Sequence, residues 1–384
     1  MRFEFATATR VIFGAGTRRE LPSIARAFGR RALVVSGQSS ARGDPLFRGL
    51  IEGGLHCVRW WTPGEPTVDL VRVGSKLARA EGCELVLAIG GGSAIDAGKA
   101  VAALAANPGD PFEYLEVVGK ACPLEHASLP FVAVPTTAGS GAEVTRNAVL
   151  TCPDRRVKVS LRSAHMLPRV AVVDPELTLD VPADVTAATG LDALAQLIEP
   201  YVSLRASPFI DPLCLDGMAR VARALPIAFG DRSNLPAREE MSFAALLGGL
   251  ALANAALGAV HGCAGPIGGM FPAPHGAVCA ALLPLVFRAN VAALTAREPG
   301  NPVIGRFDAV GRALTGRAGA TASDAVDHLE RLRVDLRIPP LRVWGLTGAD
   351  VPAIGEQARR SSSMRGNPIE LTDDELAGIL RAAI

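Results

Sequence analysis

Residues 188–202, ATGLDALAQLIEPYV, place a carboxylate, Asp192, one helical turn before an amide, Gln196. Side chains four residues apart lie on the same face of a helix, so these two residues are predicted to point in one direction. Two interpretations follow for Gln196. It shares a metal ion with Asp192, or it stands where a metal ligand is missing.

Two histidines extend this candidate site. His261 in AVHGCAGPIGG and His275 in PAPHGAVCAALLP both lie beside glycine at the ends of apolar helical runs. An imidazole is costly to bury there unless it has a partner. Together with Asp192 they could hold a divalent cation that keeps one position open for a substrate oxygen. The alternative is that each is a core histidine satisfied by hydrogen bonds.

A glycine-rich stretch, AIGGGSAIDAGKAVA at residues 88–102, is the second chemical feature. It follows an apolar strand and begins a helix, where backbone N–H groups and the helix dipole bind phosphate. We expect Gly90, Gly91 and Gly92 to adopt positive φ and admit a pyrophosphate, with Ser93 as a further donor. A Walker loop is excluded, because Ser93 stands where a glycine is required and Ala100 replaces the Ser or Thr that holds magnesium. The alternative is a plain tight turn.

A second polar loop, PTTAGSGAEVT at residues 135–145, follows another apolar strand. It is therefore expected at the carboxyl edge of the same sheet, where α/β folds bind ligands. The alternative is a polar turn between strands. The predicted cofactor-binding residues of the two loops also include Asp96 of the first and four hydroxyl residues of the second, Thr136, Thr137, Ser140 and Thr145.

The choice of dinucleotide depends on the end of an early strand, VVSGQSS at residues 34–40. An acidic residue at this place would bind the ribose 2′-hydroxyl and repel a 2′-phosphate. The chain instead has Gly37 and Ser39, with Arg42 close by in the sequence. We therefore prefer NADP to NAD, the alternative being a loop that accepts both.

Apolar strand-like runs alternate with helical stretches through the first half of the chain, at 31–37, 85–93, 130–141 and 170–177. Such continuous apolar runs predict a parallel sheet covered by helices on both faces. From Pro182 onward the helical period dominates. We predict an α/β fold in which a Rossmann-like parallel-sheet domain at 1–181 precedes an all-α domain at 182–384.

The composition narrows the possible partners. The chain has 39 basic and 38 acidic residues and a net charge of +1, so neither nucleic acid nor an anionic membrane is expected to bind it. Seven cysteines without a C-x-x-C pair, and a start without an apolar signal region, indicate a reduced, cytoplasmic protein. Residues 243–260 carry no charge, and we interpret them as a buried helix of a soluble core, since aromatic and basic belts do not flank them.

Six motifs in order resemble the iron-containing alcohol dehydrogenase family, which includes the maleylacetate reductases: GGGSAIDAGKA, PTTAGSGAEVT, VVDPEL, TGLDALAQLIEPYVS, VHGCAGPIGGMFPAPHGAVCAALLP and RGNPIELTDDEL. The resemblance runs from residue 11 to near residue 375. It implies a dehydroquinate synthase-like architecture, a homodimer, and hydride transfer between NAD(P)H and a small aldehyde, ketone or alcohol.

The family pattern places a metal on an aspartate, a histidine four residues later, and two further histidines fourteen residues apart. Asp192, His261 and His275 match, and the resemblance makes them the catalytic residues and metal ligands. Gln196 departs from the pattern, because a neutral amide oxygen is a poorer partner than imidazole for Fe²⁺ or Zn²⁺. Three outcomes remain: a weakened site that includes Gln196, a site of the other three ligands, and no metal, with His261 or His275 as the proton donor.

The substrate is less well specified. Met270 and Phe271 with neighbouring small residues suggest a small apolar or modestly polar alcohol or aldehyde. Arg146 would instead bind an acidic substrate, as in a metal-independent reductase of the maleylacetate reductase type. A third hypothesis is a catalytically impaired homologue that still binds nucleotide.

Overall fold

The computed structural model of the chain describes residues 3–37, 40–107 and 109–384, with residues 40–42 described by their backbone alone. It divides into two compact units. The sheet unit comprises Ala6–Thr137 and Gly141–Leu179. The helical unit comprises Asp180–Ile384, Ala138–Ser140 and the described residues up to Phe5.

The described residues of the sheet unit form eight strands: β1 Arg10–Phe13, β2 Arg31–Gly37, β3 His56–Thr62, β4 Leu85–Gly90, β5 Phe131–Pro135, β6 Asn147–Cys152, β7 Val157–Arg162 and β8 Val170–Val173. Six of them form a parallel sheet in the order β1-β8-β5-β4-β2-β3. The other two, β6 and β7, form an antiparallel hairpin that was not predicted from the sequence. The helices of this unit are α1 Leu21–Arg26, α2 Ser40–Glu52, α3 Val68–Ala80, α4 Gly92–Ala106 and α5 Pro111–Tyr114.

The central strands explain the apolar runs of the sequence. Every residue of β4 and β5 is buried, as expected when helices cover both faces of a parallel sheet. Both strands end at loops rich in glycine and hydroxyl residues, so their adjacent pairing brings the two predicted cofactor loops to one edge of the sheet.

The helical unit packs nine helices around one hydrophobic core, and the structure shows no strand in the described part of this unit. They are α6 Ala183–Val202, α7 Asp211–Gly230, α8 Leu235–Ala255, α9 Ala259–Met270, α10 His275–Arg297, α11 Ile304–Thr315, α12 Ala322–Asp335, α13 Val351–Arg360 and α14 Asp373–Ala383. The predicted fold class, a parallel-sheet domain followed by an all-α domain, is confirmed.

The prediction of one buried helix at 243–260 is wrong in one respect. The helix is interrupted between α8 and α9, and the two helices are bent by 98° relative to each other. Ala256 adopts φ 73°, and a side chain at Gly258 would meet Asn367 Oδ1 at 2.9 Å and Glu199 Oε1 at 3.0 Å. Hydrophobic periodicity continues across this break, so composition gave no sign of it. The break creates the helix start that carries His261.

One helix, α10, is long and apolar enough to cross a membrane. Of its most apolar window, 72% is buried within the protein, and its side chains contribute to the core of the helical unit. A core helix of a large helical domain passes the same test of length and composition.

Candidate active site

The carboxylate of Asp192 lies inside the helical unit on α6, a helix that packs against α7, α8 and α10. Alanine and leucine surround Asp192 in the sequence, and they bury the face of α6 from which it projects. Asp192 is 3% exposed and Gln196 is 2% exposed. A charge buried to this extent requires a compensating partner.

The two histidines reach Asp192 from the starts of neighbouring helices. His261 is the third residue of α9, and His275 is the first residue of α10. Asp192 Oδ1 lies 3.3 Å from His261 Nε2 and 3.8 Å from His275 Nε2. The three residues predicted to form the site are therefore together in the fold.

Cys279 is a fourth member of this cluster, and it was not among the site residues predicted from the sequence. It follows His275 by one turn of α10, and its Sγ lies 3.6 Å from His275 Nε2. One ligand atom from each of Asp192, His261, His275 and Cys279 lies within 4.8 Å of the others. The spacing His-x₃-Cys was visible in the sequence and would have indicated this contact, because residues four apart share a helix face.

Glu199 fixes the orientation of the His261 ring. Its Oε2 lies 2.5 Å from His261 Nδ1, and its Oε1 accepts a hydrogen bond of 2.7 Å from the Val260 N–H. A carboxylate at Nδ1 holds the proton on that nitrogen, so the lone pair of Nε2 faces Asp192. Glu199 was not among the residues singled out from the sequence, although it lies three residues after Gln196 on the same helix.

Asn367 holds the start of α9 in the same way. Its Oδ1 accepts hydrogen bonds from the Ala259 N–H at 3.1 Å and from Asn290 Nδ2 at 3.1 Å. Its own amide donates to Asn290 Oδ1 at 2.7 Å. These bonds satisfy a free N–H group at the helix start and tie it to α10, so the backbone beside His261 is fixed from two sides.

Two acceptors face each other at the centre of the cluster. Asp192 Oδ1 and His261 Nε2 are both buried and 3.3 Å apart, yet neither makes a hydrogen bond of acceptable geometry to any residue that the structure describes. Two lone pairs this close repel each other unless a cation lies between them. Ligand atoms bound to a tetrahedral zinc at about 2.0–2.1 Å are about 3.3–3.4 Å apart, so the residues present fit a divalent cation.

A proton is the other cation that could occupy this place. Burial disfavours the charged imidazole, but the Cys279, Glu199 and Asp192 groups outweigh it and raise the pKa of His261 well above its usual range. Burial likewise opposes the Asp192 carboxylate, but His275 and His261 lower its pKa to about 2. Without a metal, the cluster is therefore an imidazolium–carboxylate pair.

Gln196 is buried on α6 one turn from Asp192, and its amide oxygen, like Asp192 Oδ1 and His261 Nε2, has no hydrogen-bond partner within the described ranges. That oxygen, Oε1, lies 3.7 Å from the place that a Cβ on Gly248 of α8 would take. The i,i+4 relation to Asp192 holds in the structure, since both lie on α6. A role for Gln196 as a ligand stays a prediction.

The glycine-rich turn connects β4 to α4, as predicted. Gly90 ends the strand, Gly91 caps the helix, and Gly92 and Ser93 begin it. The expectation of positive φ is wrong, because all three glycines lie outside the left-handed region. Close packing requires glycine at Gly90 instead, because a Cβ there would lie 2.6 Å from Ala94 Cβ. The N-cap residue, Gly91, has no side chain to accept a hydrogen bond from the first N–H groups of α4. Uncapped N–H groups at the start of a helix are suited to bind a phosphate.

Two predicted cofactor residues lie beside this turn. Thr137 Oγ1 lies 3.2 Å from the Cβ position of Gly91, and the Thr136 N–H donates to Gly90 O at 2.9 Å. The backbone nitrogen of Gly37 lies 3.5 Å from the Cβ position of Gly90. Gly37, the turn and the threonine pair therefore belong to one edge of the sheet.

Other predicted cofactor residues have structural partners. Asp96 Oδ2 accepts from the Val149 N–H at 3.0 Å, and Thr145 Oγ1 accepts from Lys99 Nζ at 2.8 Å. Ser140 belongs to the short segment assigned to the helical unit. Ser39 lies outside the described residues, as does the side chain of Arg42, so the structure does not place them.

Comparison with known proteins agrees with this arrangement. Residues 8–175 match the family described as iron-containing alcohol dehydrogenase, and residues 186–384 match the C-terminal part of the Fe-containing alcohol dehydrogenase family. The chain belongs to the iron-containing alcohol dehydrogenase family. It is accordingly an oxidoreductase of the alcohol dehydrogenase type.

Relatives within the iron-containing alcohol dehydrogenase family extend along almost the whole chain. A 1,3-propanediol dehydrogenase of Klebsiella pneumoniae is 39% identical over 319 residues, which is 82% of this chain and 79% of the relative. A crystal structure of a 1,3-propanediol oxidoreductase has a TM-score of 0.91 at 33% identity and covers 100% of both chains. A sulfoacetaldehyde reductase of Bifidobacterium kashiwanohense in complex with NAD⁺ has a TM-score of 0.86 at 30% identity, covering 99% of this chain and 98% of the other.

The role of Glu199 is testable through metal affinity. Glu199→Gln removes the charge that holds the proton on His261 Nδ1, so we expect zinc affinity to fall by about 10–100-fold, measured by competition with a chromophoric chelator. Glu240→Gln is the control, because Glu240 pairs with Arg220 on α7, away from the cluster. Equal zinc affinity of Glu199→Gln and wild type would contradict the orienting role.

Proposed function

We propose that this chain is an NAD(P)-dependent alcohol dehydrogenase that uses a divalent cation, Fe²⁺ or Zn²⁺, held by Asp192, His261 and His275. The observation that carries the proposal is the pair of buried acceptors, Asp192 Oδ1 and His261 Nε2, that face each other at 3.3 Å. When bound, the cation supplies Lewis acidity that stabilises negative charge on the substrate oxygen during hydride transfer.

The proposed ligands differ in solvent exposure, which supports access of the substrate from one side of the site. The side chain of His275 is 36% exposed, whereas those of His261 and Asp192 are 7% and 4% exposed. A substrate oxygen therefore approaches past His275, and the deeper residues fix its position. Met270 and Phe271, which are half-buried at the end of α9, supply apolar surface for a small alcohol or aldehyde.

The cofactor part of the proposal rests on the turn between β4 and α4. The N–H groups of Gly92 and Ser93 at the start of α4 suit a pyrophosphate, and Thr136 and Thr137 lie beside them. The chain's contribution to catalysis is to place the nicotinamide carbon against the substrate carbon and to exclude water. We propose that the reaction takes place in the cytoplasm and in a homodimer, as the reduced cysteines and the family resemblance indicate. The near-neutral charge supports the expectation of no nucleic acid or membrane partner.

A metal-independent reduction is the second candidate. The raised pKa of His261 favours it, because an imidazolium beside Asp192 could give a proton to the substrate oxygen as hydride arrives. An acidic substrate, as in the maleylacetate reductase branch, would then need a cation such as that of Arg146. The impaired, nucleotide-binding homologue is the outcome in which cofactor binds but no carbonyl substrate is reduced.

Metal analysis separates these candidates. We expect about one divalent ion for each purified chain, loss of activity on chelation, and a fall in kcat of about 100-fold or more in His261→Ala. His328→Ala is the matched control, because His328 lies on α12 outside the cluster. A metal-free wild type with full activity in chelator would overturn the metal-dependent proposal and favour the second candidate.

The preference for NADP is testable at Gly37. A Cβ at this position meets no described atom within 4 Å, so an acidic side chain fits without strain. We expect Gly37→Asp to move the ratio of kcat/KM values for NADPH and NADH toward NADH by about tenfold or more, through repulsion of the 2′-phosphate. Gly37→Ala, which fills the same space without charge, should leave the ratio near that of wild type. A wild type that itself prefers NADH by about tenfold would overturn the preference.

A further inference from the structure

We propose that Cys279 is the fourth protein ligand of the metal, so that the chain forms an Asp/His/His/Cys site in which Gln196 takes no part. The inference rests on the proposed metal-dependent function and names the donor set for it. It predicts a site that prefers thiophilic cations, Zn²⁺ and Co²⁺, to Mg²⁺ and Mn²⁺.

The Cys279 thiol lies at the distance from His275 that two ligands of one metal ion would have. Cys279 is fully buried on α10, on the face that also presents His275. Its Sγ lies 3.6 Å from His275 Nε2. A thiolate at about 2.3 Å and an imidazole at about 2.0–2.1 Å from a tetrahedral zinc are separated by about 3.5–3.6 Å, so the observed spacing is that of two ligands of one ion.

Two residues with an unsatisfied polar atom lie close to the thiol. Asp192 Oδ1 and His261 Nε2 are more than nine-tenths buried and have no hydrogen-bond partner among the described residues. One ligand atom of each of these two residues lies within 4.8 Å of Cys279 Sγ. Three donor groups from α6, α9 and α10 therefore converge on the same small volume as the thiol. A lone buried cysteine in an apolar core would not be met by two unsatisfied polar atoms.

The donor chemistry decides between Cys279 and Gln196. A glutamine amide is a neutral, hard oxygen donor that suits Ca²⁺ or Mg²⁺, whereas a thiolate is anionic and soft. Binding converts the Cys279 thiol to a metal thiolate, and the thiol proton leaves to solvent as the sulfur–metal bond forms. His275 is the most exposed member of the four, so a substrate oxygen would reach the site from its side, and a zinc site of four protein ligands can accept it as a fifth.

Cobalt spectroscopy tests this donor set without depending on turnover. The full chain, freed of metal by chelation, is titrated with Co²⁺ and followed by absorption. We expect a thiolate-to-cobalt charge-transfer band in the near ultraviolet in wild type. Cys279→Ser should lack the band and bind zinc about tenfold or more weakly, while Gln196→Ala should keep the band and lose about threefold or less in affinity. Cys263→Ser is the matched control, because Cys263 is a buried thiol of α9 outside the cluster.

A rescue experiment excludes a merely structural role for the thiol. Gln196 lies one turn from Asp192 on α6, so an imidazole there can reach the same ion. In the Cys279→Ser background, Gln196→His should restore zinc affinity without restoring the charge-transfer band. If Cys279→Ser fails to fold, as judged by circular dichroism, the wild-type spectrum alone tests the role of Cys279. The charge-transfer band then supports a thiolate ligand, and its absence overturns it.

The outcomes separate this inference from the proposed function. Cobalt binding without the band, or no cobalt binding by folded wild type, overturns the role of Cys279, and reduction of aldehydes by NADPH or NADH then shows whether the oxidoreductase function survives. The band together with no turnover on any aldehyde or alcohol supports the Cys279 site and overturns the proposed function instead.

Discussion

The helical unit depends on a carboxylate oxygen and an imidazole nitrogen that are buried 3.3 Å apart without a hydrogen bond between them. Removing these groups from water is costly unless they are paired. A cation between the two facing atoms, either a metal ion or a proton on the imidazole, makes the arrangement favourable. The surrounding structure is arranged to maintain it: Glu199 orients the ring, and Asn367 fixes the start of the helix that bears it.

The break between α8 and α9 is part of the same arrangement. A continuous helix through Ala256–Gly258 would carry His261 away from the helix start that Glu199 and Asn367 hold. Gly258 is needed because the oxygens of those two residues approach its backbone too closely for a Cβ. The chain thus gives up helical hydrogen bonds at this point, and it gains a fixed direction for one ligand.

Much of this could be predicted from the sequence. The apolar runs of β2, β4 and β5 identified a parallel sheet because both faces are covered, and the helical period of α6 placed Asp192 and Gln196 on one face. The gathering of Asp192, His261 and His275 was anticipated from their residue types and from the family resemblance. Those features depend on local pattern, which a single sequence contains.

What was missed depends on tertiary contacts. Cys279 looked like a core thiol: its spacing from His275 shows that the two share a helix face, but nothing in the sequence shows that this face meets α6. The glycines at 90–92 were assigned positive φ, but the contact of Gly90 with Ala94 is what excludes a side chain at that position, and Thr137 packs tightly against Gly91. Periodicity also continues through the break before α9. In each case the deciding neighbour is distant in sequence or hidden in the packing.

Membership of the iron-containing alcohol dehydrogenase family and the departure at Gln196 together make the donor set the central question for this chain. X-ray absorption at the zinc edge of the zinc-loaded protein measures it most directly. Our account predicts one sulfur scatterer at about 2.3 Å with nitrogen and oxygen scatterers at about 2.0–2.2 Å. A first coordination sphere of nitrogen and oxygen alone, or a protein that holds no zinc, would contradict it.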